Sequence, residues 1–349
     1  MLVAGSKLEA KYKKRVIVDT DMGWDDVLSI LYLIKNPEIE IIGIMVTGCG
    51  ETDLRWGTII AKTLMELGGL TRAKICKGAE HSLKYNHYFP RSFKDDMNDI
   101  MGLLGSLNPD INIEIDPLPA WEFMANISNQ SHEDIEILSL GGFTNIAKML
   151  QLYPEVATEK IKNIYAMAGA IYVDGNVDLL NNAKPDWDQG PIYSTNHYAE
   201  WNVFIDPLAA KIVFGSEIPL TLIPLDACNY VLLNSDYVDR ITATDEIATL
   251  ARNIIIKKTG ESNEGIPVPI FDPLATVIMA DGIKNYQSHE EYLDVNIEEI
   301  KSDNHCGETY IVDSGKRKIR IVQGVSQHEF AEHFIEVING KWQNTIIEN

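Results

Sequence analysis

The first part of the chain alternates between short apolar runs and longer stretches with helical spacing. Residues 15–19 and 40–46 are continuous apolar runs typical of buried strands, and residues 74–77 form a shorter third one. Between them, residues 24–34 and 53–67 repeat apolar side chains at three- and four-residue intervals, which predicts two helices. This order predicts a mostly parallel sheet with helices on both faces.

The same pattern continues to the C-terminus. Strands or strand-like stretches are predicted at 135–140, 161–167, 200–206 and 218–224, and helices at 119–128, 207–214, 235–241, 246–257, 274–280 and 327–338. Residues 308–312 and 317–322 are predicted to pair as a β-hairpin. Because no repeat or linker interrupts the pattern, we expect a single α/β domain over residues 1–349, with a central, mostly parallel sheet flanked by helices.

Three segments lack a clear period. Residues 1–14 are polar, and we expect a mobile lead-in there. Residues 80–98 and 170–199 are polar and aromatic, and both are long for simple connections. Long loops of this kind often cover binding sites, so we expect two lid-like segments.

The charge of the chain narrows its function. The 51 acidic and 30 basic residues give a formal net charge of −21. Such a field repels phosphate, which argues against nucleic acid or an anionic membrane as the main partner. No window approaches the roughly 18 apolar residues of a membrane span. An acidic chain does suit a protein that binds a divalent cation.

The four cysteines are far apart and form no C-x-x-C pair. Their spacing supports neither a zinc site nor a disulfide framework, so reduced thiols and a cytoplasmic location are expected. The N-terminal residues lack the apolar core of a signal peptide, although a leader removed from this sequence would leave the same pattern.

The most unusual feature is an acidic run directly after the first predicted strand. Asp19, Asp21, Asp25 and Asp26 place four carboxylates in eight residues. Like charges this close repel each other unless a cation lies among them or one of them holds a proton. Capping a helix needs one acid, not four, so helix capping alone does not explain the run.

Ligands in open α/β sheets gather at the carboxyl ends of the strands. Asp21 and Asp26 follow the first strand, Leu140 ends a later one, and Asp272 opens an apolar helix. If these positions are neighbours, three carboxylates and a backbone carbonyl could surround one hard cation. Oxygen-only ligands suit calcium or magnesium.

Several motifs together resemble a known family. The stretch DTDMGWDD at 19–26 is similar to the Asp-x-Asp-x-Gly-x-Asp-Asp signature of the inosine-uridine preferring nucleoside hydrolases. The similarity continues through LGGFTNIA at 140–147, DGN at 174–176, AEWNVFIDPLAA at 199–210 and FDPLA at 271–275. All occur in the family's order, so the resemblance spans nearly the whole chain.

The resemblance implies a calcium-dependent N-riboside hydrolase with a Rossmann-like core, acting on a small nucleoside or N-riboside and assembled as a dimer or tetramer. Calcium would be bound by Asp21, Asp26, Asp272 and the main-chain carbonyl of Leu140, and Asp21 would also be the general base. Asp25 would hold a ribose hydroxyl, with Asn176, Glu200 and Asn202 completing the ribose pocket and Asp19 supporting the site. Glu200 and Asn202 alternate along a strand-like stretch, so both are expected to face one side.

Two positions depart from the family pattern, both near the nucleobase. Phe271 stands where a His normally assists the leaving group, and Cys49 or Gly50 falls where an Asn is expected. His87 and His197, in the irregular segments, are candidates to replace the missing acid. Trp187 is a candidate stacking platform, with Trp24 and Trp201 also available.

Two other functions stay open at this point. The run VIVDTD at 16–21 resembles the Asp-x-Asp of haloacid-dehalogenase-like phosphatases, although Met22 and Gly23 stand where that class has Thr or Val. Alternatively, the chain is a ribose- or carbohydrate-binding member of the hydrolase fold that has lost its leaving-group machinery. Phe271 is the best support for that second alternative.

Overall fold

Nine strands form one sheet in the computed structural model, which describes residues 13–112, 115–156, 158–182, 189–260 and 267–341. They are β1 (Lys14–Thr20), β2 (Ile39–Val46), β3 (Lys74–Lys77), β4 (Ile135–Ser139), β5 (Ile161–Ala166), β6 (Leu220–Leu222), β9 (Tyr286–Val295), β10 (Thr309–Val312) and β11 (Ile319–Val325). Their order is β10-β9-β11-β6-β5-β4-β1-β2-β3. Two short strands, β7 (Leu232–Leu233) and β8 (Val268–Pro269), pair separately.

The sheet is parallel from β3 across to β11, and among its nine strands only β9 runs in the opposite direction, pairing antiparallel with both β11 and β10. β1 pairs with β2 on one side and β4 on the other. The chain therefore reverses its direction of travel across the sheet at β1. In open α/β sheets the crevice at such a reversal is the usual ligand site. The mostly parallel α/β architecture predicted from the sequence is confirmed.

Helices cover both faces of the sheet. They are α1 (Trp24–Lys35), α2 (Leu54–Leu67), α3 (Arg91–Asn98), α4 (Ala120–Gln130), α5 (Thr144–Leu152), α6 (Val177–Asn182), α7 (Pro191–Ser194), α8 (Trp201–Ile205), α9 (Pro207–Phe214), α10 (Leu225–Cys228), α11 (Ser235–Arg240), α12 (Glu246–Thr259), α13 (Asp272–Met279) and α14 (Gln327–Ile338), with 3₁₀ turns at Leu104–Leu107 and Thr158–Lys160. None of the helices in the described ranges is long and apolar enough to cross a membrane.

The alternation of side chains along β1 explains how a layer of helices packs on each face of the sheet. Val16 and Val18 belong to the core shared with α1, α12, α13 and α14, whereas Ile17 belongs to the core shared with α4, α5 and α9. A strand buried on both faces needs apolar residues at every position. The unbroken VIV run supplies them.

The predicted C-terminal hairpin is wrong. β10 and β11 lie next to each other in sequence, but each pairs antiparallel with β9 instead. β9 itself was not predicted, because Tyr286–Val295 is rich in exposed polar residues and has no apolar run. A strand near the sheet edge needs little burial, so hydrophobic pattern alone does not reveal it.

The strand-like stretch at residues 200–206 is also corrected. Residues Trp201–Ile205 form the short helix α8, and Glu200 is its N-cap. Trp, Val, Phe and Ile favour strands intrinsically, but a capping carboxylate decides the local structure here. Glu200 and Asn202 share a side because of a helix start, not because of strand alternation.

The segments predicted to be irregular contain short helices. Residues 80–98 end in α3, and residues 170–199 include α6 and α7. Of the predicted lead-in, residues 1–12 lie outside the described part of the chain, while β1 already begins at Lys14.

Candidate active site

A cavity of about 380 Å³ opens where β1 and β4 end. Nine of the twelve predicted site residues line it: Asp21, Asp25, Asp26, Leu140, Asn176, Glu200, Asn202, Phe271 and Asp272. They come from five separate parts of the sequence. A larger groove of about 1280 Å³ lies at the opposite end of β2, and carboxylates are not clustered among its described lining residues.

The acidic turn after β1 is held by its own backbone. Met22 adopts a left-handed conformation with φ of 62°, which reverses the chain between Asp21 and α1. Thr20 Oγ1 donates to Asp26 Oδ1 and accepts from the amide of Met22, while the amide of Gly23 donates to Asp26 Oδ2 at 2.9 Å. Both oxygens of Asp26 are therefore fixed in direction.

Asp21 is held by the loop that follows β2. Its Oδ2 accepts from the amide of Glu51 at 3.0 Å, and its carbonyl accepts from Thr52 Oγ1 at 2.7 Å. A Cβ added at Gly50 would lie 1.7 Å from Asp21 Oδ2. Gly50 is thus required for the loop to approach the carboxylate this closely.

Three buried carboxylates form the centre of the acidic group. Oxygens of Asp25, Asp26 and Asp272 all lie within 4.8 Å of one another. Burial, followed by the charges of neighbouring carboxylates, raises the pKa of Asp26 and of Asp272 well above the ordinary value. Burial raises the pKa of Asp25 to about 6. Buried, oxygen-only donors at this spacing fit a hard divalent cation.

The resemblance assigns Asp21 rather than Asp25 to the metal. Asp21 is buried, lines the same cavity, and its charge contributes to the raised pKa of Asp26. Burial also raises the pKa of Asp21. Asp21 and Asp25 therefore both lie in the acidic group. Substituting each residue in turn tests which of the two binds the metal.

Glu200 and Asn202 connect the cavity to the ends of β4 and β5. Glu200 Oε1 accepts from the amide of Asn202 at 2.7 Å, and its Oε2 accepts from the amide of Gly169 at 3.0 Å. Asn202 Nδ2 donates to the carbonyls of Leu140 and Met167 at 3.1 and 2.9 Å. Burial raises the pKa of Glu200 to about 7, against the opposing effect of these backbone donors. The carbonyl of Leu140, Asn202 and Glu200 thus form one hydrogen-bonded unit.

The sequence did not single out Glu51 or Lys258, which also line the cavity. Glu51 is the residue of the loop after β2 that lines the cavity, and it directly follows Cys49 and Gly50, one of which falls where the resemblance implies an Asn. The only available signal was an acid directly after the Gly50 turn. Lys258 Nζ lies 4.5 Å from the ring centroid of Trp24, in a cation–π contact.

Two buried polar atoms on residues of the cavity wall have no hydrogen-bond partner among the described residues. They are Glu51 Oε2 and Trp201 Nε1. Buried polar groups are nearly always paired, so an unpaired acceptor and an unpaired donor at one cavity indicate a polar ligand.

The segment at 80–98 contributes aromatic wall to the cavity. Phe89 and Phe93 line it, and the Phe89 ring stacks on Trp201 with centroids 4.2 Å apart. Trp24 and Trp201 are therefore both in place to contact a planar group. Trp187, the predicted stacking platform, lies outside the described residues.

The two candidate histidines are not among the described residues that line the cavity. His87 Nε2 lies 2.6 Å from Glu299 Oε1, and His197 Nδ1 lies 2.7 Å from Asp178 Oδ2. The structure thus brings neither imidazole to Phe271, which lines the cavity at the start of α13.

Asp19 lies near the end of β1, next to the acidic turn. Its burial allows the electrostatics of the site to be tested. Its Oδ1 accepts from Asn145 Nδ2 at 2.7 Å, while its Oδ2 is buried without a described partner. Burial raises the pKa of Asp19 from 3.8 to about 7. The folded protein therefore keeps this proton up to a higher pH than the unfolded chain, so this carboxyl lowers stability as the pH rises from about 4 to about 7.

We expect Asp19→Asn to gain stability relative to the parent protein across that pH window, by up to about 4 kcal/mol. Free energies of unfolding from urea titrations at several pH values, with chelator present, would measure this. Asp236→Asn, at an exposed acid in α11, is the matched control. A difference between Asp19→Asn and the parent that stays constant with pH would contradict the assignment.

The chain is similar to known nucleoside hydrolases in sequence and in fold. The chain is 26% identical to the pyrimidine-specific ribonucleoside hydrolase RihB of Escherichia coli strain K12 over 296 residues, which cover 81% of this chain and 84% of that protein. Two solved structures share the fold. The plant nucleoside hydrolase PpNRh1 superposes with a TM-score of 0.76 at 20% identity, covering 93% of this chain and 99% of its own.

The purine-preferring ribonucleoside hydrolase from Gardnerella vaginalis has a TM-score of 0.72 at 24% identity, covering 94% of this chain and 99% of its own. The names of these relatives differ in the base they prefer, so the likeness leaves the base open. Residues 16–332 match the family model described as inosine-uridine preferring nucleoside hydrolase. This range includes every predicted site residue. The chain therefore belongs to the inosine-uridine preferring nucleoside hydrolase family.

Proposed function

We propose that the protein hydrolyses the N-glycosidic bond of a ribonucleoside or related N-riboside, with Asp21 as general base and a calcium ion bound by Asp21, Asp26, Asp272 and the Leu140 carbonyl. One observation carries this proposal: the acidic group and the predicted ribose residues line the same cavity. Bond cleavage builds positive charge on the ribose ring. The carboxylates around the cavity stabilise that charge.

The ribose would be held by Asp25, Asn176, Glu200 and Asn202. Glu200 already accepts three backbone hydrogen bonds, but a carboxylate offers about four acceptor positions, so it can also accept from a ribose hydroxyl. Asn176 Oδ1 accepts from the amide of Trp201 at 3.1 Å, which orients its side chain toward the same wall.

A calcium ion in this site would orient the water and the ribose hydroxyls and make the water more acidic. The chain's own residues perform the remaining steps. Asp21 takes the proton from the water, and the amide of Glu51 holds Asp21 in place. Phe89, Trp201 and Trp24 exclude bulk water and give the nucleobase an apolar wall.

Release of free ribose from a nucleoside panel tests the proposal. We expect hydrolysis of at least one purine or pyrimidine ribonucleoside with calcium present, and loss of that activity on chelation with recovery when calcium returns. Activity that is unchanged by exhaustive chelation would contradict the metal assignment. No ribose from any member of the panel would contradict hydrolysis of ordinary nucleosides.

Phe271 favours a second function, a ribose-binding protein that does not turn its ligand over. A phenyl ring cannot donate a proton to a leaving base. Calorimetry with ribose and nucleosides, carried out alongside the ribose assay, separates the two functions. Tight binding without ribose release would support the binding protein and contradict the hydrolase.

Introducing a proton donor at Phe271 is expected to increase hydrolysis of nucleosides with poor leaving groups. We expect Phe271→His to raise kcat for inosine at least about tenfold, because general acid catalysis contributes roughly 10²–10⁴-fold. The matched substrate is p-nitrophenyl riboside, whose leaving group needs no proton. Equal changes on both substrates would show that the gain does not come from proton donation.

The resemblance also supports a homo-oligomer, dimer or tetramer, while the four free cysteines support a cytoplasmic location. Light scattering of the purified full-length chain measures the first. Fractionation of the cells that produce the protein natively measures the second.

A further inference from the structure

A second group of potential metal ligands lies away from the cavity, behind α8. It consists of His87 from the 80–98 segment and of Glu299 and Cys306 from the connection between β9 and β10. One ligand atom from each residue lies within 4.8 Å of the other two. His87 and Cys306 are buried, whereas Glu299 is exposed. Neither the sequence spacing of the cysteines nor the family resemblance points to this group.

The protonation of His87 is fixed by its neighbours. Its Nδ1 lies 2.5 Å from the carbonyl oxygen of Phe204, which can only accept, so Nδ1 carries a hydrogen. A neutral His87 would then present the lone pair of Nε2 to the carboxylate of Glu299, 2.6 Å away. Two acceptors do not face each other at this distance without a cation between them. At 2.6 Å that cation is a proton, and a metal ion that replaces it needs the two atoms to move apart.

Hydrogen bonding of the opposite ring nitrogen to a carbonyl is the usual arrangement of a metal-binding histidine. It fixes the tautomer and aims the free nitrogen at the ion. The imidazole ring of His87 also stacks on two aromatic rings. Its centroid lies 3.9 Å from that of Phe204 and 5.2 Å from that of Tyr85. His87 is thus oriented in advance for a ligand at Nε2.

The connection that carries the two other donors is held by side chains of the 80–98 and 170–199 segments. The Cys306 carbonyl accepts from Asn196 Nδ2 at 2.8 Å, and the hydroxyl of Tyr85 donates to the carbonyl of Ile297. A groove of about 580 Å³, partly lined by Glu299, lies beside the group and gives access from solvent. A fourth ligand could therefore be water.

We propose that His87, Glu299 and Cys306 bind Zn²⁺, or a similar divalent ion that accepts thiolate, and so tie the 80–98 segment to the β9–β10 connection. The donor set of nitrogen, oxygen and sulfur suits zinc, whereas calcium takes oxygen alone. This site is distinct from the acidic group in the cavity in both position and ligand type.

Binding requires two protons to leave. One is the proton between His87 and Glu299, and the other is the thiol proton of Cys306, whose pKa burial raises to about 12. Both go to solvent as the ion enters. Ligand bonds of about 2.0–2.1 Å place N and O roughly 3.3 Å apart in a tetrahedral site, so the exposed Glu299 must swing outward from its present 2.6 Å.

Cobalt provides a direct test with the full-length chain. We expect one Co²⁺ per chain to give the thiolate-to-cobalt charge-transfer absorption and the d–d bands of a tetrahedral ion, with calcium in excess to occupy the oxygen site. Added Zn²⁺ should displace the cobalt and abolish both signals. Cys306→Ser should lose the charge-transfer band, and Cys76→Ser, at a buried thiol of β3, is the matched control.

Glu299→Gln keeps the test decisive if Cys306→Ser does not fold, because Glu299 is exposed. It should weaken cobalt affinity at least tenfold while the far-ultraviolet circular dichroism stays unchanged. Zn²⁺ should also slow amide exchange within residues 80–90 of the parent protein but not of Glu299→Gln. Absence of a charge-transfer band in the parent protein, or its loss in Cys76→Ser instead of Cys306→Ser, would overturn the proposal and leave a proton as the shared cation.

Discussion

Asp21→Asn is expected to lower kcat for ribose release by about 10³-fold or more. The substitution removes the proposed general base, a contribution of roughly 10²–10⁴-fold, and also weakens the proposed calcium site. Asparagine preserves the shape of the side chain and can still accept from the amide of Glu51, which lies 3.0 Å from Asp21 Oδ2. Initial rates at saturating substrate and calcium would measure the loss.

Asp25→Asn separates the two roles within the acidic turn. We expect it to raise KM through the lost ribose contact while calcium binding, measured by calorimetry, persists. Asp25 belongs to the close carboxylate group with Asp26 and Asp272, so the opposite result is physically possible. If Asp25→Asn abolishes calcium binding and Asp21→Asn keeps the parent kcat, the assignments of Asp21 and Asp25 must be exchanged.

The acidic turn was predictable because its chemistry is local. Asp21, Asp25 and Asp26 lie within six residues, and their mutual repulsion can be recognised without knowing the fold. The end of β1 as a ligand position follows from a general rule for α/β sheets. Asp272 and Leu140 were candidates only on the condition that they lie beside β1. The family resemblance supplied that condition, because nothing in their own neighbourhoods distinguishes them from an ordinary helix start and strand end.

The residues that were missed depend on tertiary structure. Lys258 reaches the cavity from the end of α12, and Phe89 reaches it from a segment without periodicity. No local sequence pattern indicates that such side chains line a cavity at the ends of β1 and β4. His87 shows the converse: a histidine in a polar segment is a reasonable catalytic candidate by sequence, but packing against Phe204 directs it elsewhere.

The two halves of the cavity therefore differ in how firmly hydrogen bonds within the protein fix their side chains. The half proposed to bind calcium and ribose is built from side chains fixed by backbone hydrogen bonds, as in Glu200 and Asp26. The half proposed to face the base is built from aromatic rings, among them Trp201, whose Nε1 is buried without a described partner. Polar atoms of that kind discriminate among ligands strongly, since a ligand that leaves them unpaired loses affinity. The choice of base should consequently depend on Trp201 more than on the residues proposed to bind ribose.

Asp272→Asn is expected to have opposite effects on the metal-free and the calcium-bound protein. Without metal, Asp272 is a buried carboxyl beside Asp25 and Asp26, and the substitution removes one source of repulsion. We expect the free energy of unfolding in chelator to rise by an amount on the order of 1 kcal/mol. The same change removes a proposed calcium ligand, so most of the stabilisation by calcium should disappear.

Urea titrations in chelator and in calcium would measure both effects. An ion that binds only the folded state stabilises it by about 2.7 kcal/mol at 100 times its Kd, so the parent protein should show a gain of this size. Asp25→Asn is the matched control, because it lies in the same carboxylate group and should relieve the same repulsion while keeping the calcium response. If Asp272→Asn instead keeps the full calcium response, Asp272 is not a ligand, and its burial beside Asp26 must be stabilised by a shared proton.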